Sequence, residues 1–227
     1  MKAALALAVL VLALPAQAHE PMTAAAAESY LQQEERWRAA TRPPSPSARR
    51  AEAHYRLGVL RDEMRDQLNA ELAAHGRVQA LAVRFLLQAL QDRGVPMLED
   101  PAARRYAPED EHYAQALALV PGAPFAADAG LRLLQARFYG SFDQDPLDWK
   151  LDAQALRAQI ALAEDLLARF PEHAAREEIE FIAAILYTRA ARLPEGAKRY
   201  AHLARAAAEA FAQRYPGSLR AAAMPVL

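Results

Sequence analysis

Leu166-Leu167-Ala168-Arg169-Phe170-Pro171-Glu172-His173 and Phe211-Ala212-Gln213-Arg214-Tyr215-Pro216-Gly217-Ser218 read as one device used twice. Each is an apolar run that closes on Arg-aromatic-Pro, where proline's missing N–H and fixed φ stop the preceding helix. The two prolines lie 45 residues apart (216 − 171). Recurrence at that spacing predicts stacked helical hairpins. The segments between agree. Leu156, Ile160, Ala163, Leu167 and Phe170 step by four, three, four and three residues, a helical stripe. Ile179, Ile182, Leu186, Ala190 and Leu193 form a second stripe, and Tyr200, Ala204, Ala207, Phe211 and Tyr215 a third. Leu119-Val120-Pro121-Gly122-Ala123-Pro124 is a degenerate third corner, 50 residues before Pro171.

Upstream the same periodicity continues. Thr23 to Ala40 predicts a weakly amphipathic helix, which Pro43, Pro44 and Pro46 separate from the rest of the chain. Ser47 to about Ala74 carries Leu57, Leu60, Met64, Leu68 and Leu72 at three- and four-residue steps. Gly76 then leads to a helix with Val78, Leu81, Phe85 and Ala89 on one stripe, predicting an antiparallel hairpin. Met97 to Pro108 reads as a loop, and helices with Tyr113, Leu117 and Val120, then Ala127, Leu131, Leu134 and Phe138, come after it. No run alternates β-branched and aromatic residues, so the expected class is all-α: stacked antiparallel helical hairpins, either a tetratricopeptide-like solenoid or an ordinary bundle. The expected divisions are 1–18, 19–46 (arm and Pro-rich linker), 47–96 (hairpin) and 109–227 (repeats).

Lys2, the apolar run Ala3 to Leu14 and Pro15-Ala16-Gln17-Ala18 together form a cleavable export signal. The alternative is an uncleaved anchor, although the run is shorter than the ~20 apolar residues of a bilayer span. Cleavage after Ala18 makes His19 the first residue, and no stable membrane insertion is expected afterwards. Cysteine is absent, which excludes disulfides and an acylated lipobox. With 27 basic and 28 acidic residues interspersed, the chain offers no field for nucleic acid. A periplasmic location follows from these features as an expectation.

Ala207-x3-Phe211-x3-Tyr215-Pro216-Gly217-Ser218 resembles the tetratricopeptide-like helical hairpins of bacterial envelope proteins, such as outer-membrane assembly lipoproteins and the periplasmic Tol-Pal-associated factor. The resemblance covers Gln154 to Met224. It implies a non-catalytic module that binds another envelope protein or peptide. Physically, proline suits a first helical turn, and Ser218 or His173 lies where a cap is useful.

Sites of chemistry are sparse. An N-terminal His19 can chelate copper through amine and imidazole, given a second histidine from His54, His75, His112, His173 or His202. This metal-binding protein is the alternative function. Glu109-x-x-His112 stands alone, whereas a di-iron bundle needs two such elements. Glu71/His75 and His173/Glu177 have the spacing of helix-face pairs. Ser29, Ser45, Ser47, Ser141 and Ser218 lack a nucleophile-elbow context, and no glycine-rich phosphate loop occurs. No enzyme activity and no cofactor are expected. Trp37, Tyr139, Phe142 and Trp149 fall in exposed or loop-like segments, in contrast to Phe85, Phe170 and Phe211. Tyr139, Phe142 and Trp149 are therefore the candidate partner-binding residues. Packing of Phe142 and Trp149 onto the hairpin below them is the alternative.

Overall fold

The computed structural model describes residues 22–140, apart from 79, 96, 98, 101–104 and 108–109, and residues 153–224, apart from 223. The expected signal segment, 1–18, lies outside them. Nine helices account for most of the described residues: α1 Ala24–Ala40, α2 Ser47–His75, α3 Leu81–Asp92, α4 Glu111–Leu119, α5 Ala126–Gly140, α6 Ala153–Arg169, α7 Arg176–Ala190, α8 Ala197–Arg214 and α9 Leu219–Ala222. Successive helices pack as neighbours, α4 on α5, α6 on α7 and α7 on α8, so the chain is all-α and built of paired helices. Among the described residues no helix is long and apolar enough to cross a membrane.

Local chemistry sets the ends of these helices. The Thr23 hydroxyl accepts from the Ala26 N–H at 3.1 Å, capping α1. Gly76, with φ of 69°, takes the left-handed conformation that closes α2, and its N–H donates to the Leu72 carbonyl. The two Arg-aromatic-Pro corners share one backbone relay. Phe170 N–H donates to Leu166 O, His173 N–H to Phe170 O and Arg176 N–H to His173 O. Tyr215, Ser218 and Ala221 repeat it with Phe211, Tyr215 and Ser218 as acceptors. Val120, Ala123 and Ala126 do so a third time, with Ala116, Val120 and Ala123 as acceptors. The degenerate corner is thus the same corner in hydrogen bonding, and the three join α4 to α5, α6 to α7 and α8 to α9.

The described residues form two compact units, one within 18–150 and one within 151–227. In the first, α1 packs on both α2 and α3, and α4 packs across α2. Met22, Ala27, Leu31, Leu60, Met64, Leu68, Val83, Leu86 and Leu90 close one apolar core. The expected arm is therefore a core helix, because its few apolar residues, Ala27 and Leu31, meet the stripe of α2. The unit boundary also differs from the expected one at 97–108, since α4 and α5 belong with α2. A short antiparallel pair, β1 Glu99–Asp100 with β2 Arg105–Tyr106, replaces part of the expected loop. Buried Tyr106 draws this segment onto α2, where Asn69 Oδ1 accepts from the Tyr106 N–H at 2.7 Å.

In the second unit Leu156, Ile160, Ala163 and Leu166 of α6, Ile179, Ile182 and Leu186 of α7, and Ala204 and Phe211 of α8 are buried. The α6 stripe ends on Leu166 and not Leu167, one position from the expected one. Phe170 and Tyr215, expected inside the corners, are half-buried. Arg169 lies 5.0 Å over the Phe170 ring, and Tyr215 packs on Phe211 at 4.9 Å.

Candidate functional site

A buried polar network sits where α4 crosses α2. Gly58 makes the crossing possible: a Cβ there would lie 2.7 Å from the Tyr113 ring. With the backbone bare, the Tyr113 ring packs against α2 at Gly58 and its hydroxyl donates to Asp62 Oδ2 at 2.6 Å. Arg65 Nη1 donates to Asp62 Oδ1 at 2.6 Å, and Arg132 Nη1 to Oδ2 at 3.4 Å. Arg132 Nε and the Tyr55 hydroxyl both reach Asp128 Oδ2 at 2.8 Å. Tyr55 also stacks on Phe125 at 4.8 Å, with ring planes 8° apart.

Burial raises the Asp62 carboxyl above its ordinary value, against the opposing pull of Tyr113, Arg65 and Arg132. Burial first, and the hydrogen bond to Asp62 second, push the Tyr113 phenol far above its usual range. Each of these polar atoms thus has a partner within the seam. Such an arrangement holds α2, α4 and α5 together.

Beside it, His54 Nδ1 and His112 Nδ1 face each other at 3.3 Å, one donating to the other. Burial, and then the Arg50 charge, lower the His54 pKa; Glu111 opposes and Arg61 adds to the effect. Among the described residues no group of three or more His, Asp or Glu side chains gathers to hold a metal ion.

Of the residues expected to bind a partner, Tyr139 is 40% exposed and packs edge-on against Phe138 at 5.1 Å. Phe142, Trp149 and the expected copper ligand His19 lie outside the described residues. Trp37 is half-buried, with Arg36 4.9 Å above its ring. Phe85, expected in the interior, is 53% exposed, and Leu81 is 80% exposed. The reason is that α3 carries more apolar residues than its core face can take, with Arg84, Gln88 and Gln91 on the exposed side. Its Val83, Leu86 and Leu90 face the core and leave the Leu81/Phe85 stripe outside.

Sequence reasoning missed Asp62, Gly58 and Arg132. The available signal was Gly58 and Asp62, four residues apart on α2 beside its apolar stripe, a spacing that puts bare backbone and an acid on the same face. Comparison with protein-family models, with curated proteins and with solved structures finds no match.

Proposed function

We propose that this chain is a non-catalytic binding or scaffold module of the bacterial envelope, exported to the periplasm and built on tetratricopeptide-like hairpins. The observation that carries this reading is the corner used three times, at Val120, Phe170 and Tyr215, with one hydrogen-bond relay. Repeated hairpins present broad surfaces on which a peptide or protein finds shape complementarity, with arginines for its carboxylates. The engagement of Asp62, Tyr113, Arg65, Arg132 and Asp128 with one another also favours a structural role for that seam. Crosslinking in cells should recover one defined protein partner with the exported chain. Recovery of no partner, together with turnover of an envelope substrate by the purified protein, would sink this reading.

The rival is a copper-binding protein using His19, for which the paired imidazoles of His54 and His112 offer two further nitrogens. Arg50 and Arg61 beside His54 oppose a dication there. Calorimetric titration of the processed protein with copper separates the two readings. Affinity that does not change when His19 is removed excludes the rival.

A further inference from the structure

Four large apolar side chains are exposed among the described residues, Leu81, Phe85, Tyr139 and Leu219, and two of the four lie one turn apart on α3. Scattered apolar residues need no explanation, whereas an adjacent pair forms a stripe. Val78, Ala82 and Ala89, all half-buried, border it. Arg84 shares the exposed face, and exposed Arg77 precedes the helix. Among the described residues neither guanidinium group has a hydrogen-bond or ion-pair partner. From Leu72 to Gln91 the chain contains no acidic residue. The first acid beyond, Asp92, accepts from Gln88 at 2.8 Å.

We propose that this face of α3 docks an acidic amphipathic helix. Its partner sets two apolar side chains over Leu81 and Phe85 and brings carboxylates to Arg77 and Arg84. The proposal rests on the binding-module reading and names the partner's chemistry. Charge complementarity selects this occupant: planar guanidinium groups beside an apolar stripe suit carboxylates, which they bind in bidentate fashion. The α3 face of a second copy would bring its own arginines against these, a like-charge contact. A lipid surface shares the charge but needs a wider apolar face or a second anchor for stable binding. Two large side chains and two cations fit one face of a helix, read at i and i+4.

The test is fluorescence anisotropy of the full chain with a fluorescein-labelled helical peptide carrying leucines at i and i+4 flanked by glutamates. Saturable binding is expected, weakened about ten-fold or more by Phe85→Ser or by Arg84→Glu, as removal of an anchor residue does. Both positions are exposed, and unchanged thermal melting of the variants shows that the fold is kept. The double variant Arg77→Glu/Arg84→Glu should prefer a peptide with lysines in place of the glutamates. Absence of saturable binding, or equal affinity in Phe85→Ser, overturns the proposal. So does binding confined to phosphatidylglycerol vesicles. Crosslinking in cells that captures a partner undisturbed by Phe85→Ser removes α3 as the docking face and leaves the binding-module reading standing.

Discussion

The interior between α2, α4 and α5 is built around an acid, and the interior of α6, α7 and α8 around aliphatic side chains and a ring. Glu34, Asp62 and Glu71, the buried acids among the described residues, all belong to the 18–150 unit. The 151–227 unit buries Gln159 and Thr188, both neutral, and the Thr188 hydroxyl simply donates to Ala184 O within its own helix at 2.9 Å. Its acids among the described residues are half-buried or exposed. Glu180 takes both Arg176 and Arg214, and Glu177 accepts from Ser218 at 2.5 Å. The two interiors differ in specificity. Apolar contact tolerates small shifts of one helix along another, whereas the Tyr113–Asp62 hydrogen bond and the Gly58 notch allow one register for α4 on α2.

Substitutions in either unit test this contrast. Phe211→Ala should have the largest effect, about 3–5 kcal/mol, because a buried ring leaves a cavity. Urea unfolding and faster hydrogen exchange in α7 and α8 are the readouts. Protection that falls equally across α2 and α4 would contradict the assignment of two separate interiors. Asp62→Ala should cost about 3 kcal/mol, since it strands the Tyr113 hydroxyl and two arginines. Asp62→Asn should cost clearly less, as its amide oxygen still accepts from Tyr113 while a desolvated charge is removed. Equal losses in the two variants would mean that charge, and not the hydrogen bond, carries the seam.

Gly58→Ala sets a helix-propensity gain of about 1 kcal/mol against an overpacking cost of about 1–3 kcal/mol. Net destabilisation of about 1 kcal/mol is expected by the same principles. It should become a gain in a Tyr113→Leu background, where the ring is gone. A gain in the wild-type background would show that Tyr113 yields easily.

The smallest effect is a pH dependence. The folded His54 pKa lies below its ordinary value of 6.5, so the native state binds the proton less tightly than the unfolded chain. Its stabilisation is complete above that value and is lost as pH falls through 6.5 towards the lowered pKa. Asp62 acts oppositely: its raised pKa is a cost at neutral pH that disappears as pH falls towards 3.8. His54→Gln should flatten the decline in unfolding midpoint just below pH 6.5. An unchanged slope would assign the decline to other groups.

The reading of elements from sequence held where the signal was local. Gly76 ends α2, and Pro171 and Pro216 follow the ends of α6 and α8, whereas Ser47, expected as the N-cap of α2, is its first helical residue and Pro46 takes the cap position. Periodicity also found Leu57, Leu60, Met64 and Leu68 of α2, Leu131, Leu134 and Phe138 of α5 and Ile179, Ile182 and Leu186 of α7, all buried, although Ala127 is half-buried and Leu133, Ala136, Ala183 and Ala184 widen the buried faces of α5 and α7. It failed on α3, which offers two stripes, and slipped by one on α6, where Leu166 and Leu167 are adjacent. The polar seam was not legible because Tyr113 and Arg132 lie 51 and 70 residues from Asp62.

Sequence alone determined the helices, their ends and the recurring corner, because propensity, capping and proline sterics act over about four residues. Tertiary structure decided which stripe of α3 met the core and which faced outward. It also decided that Asp62 would be enclosed by side chains from α4 and α5. Those choices depend on which surfaces meet, and burial of distant apolar groups fixes that only when the whole unit closes.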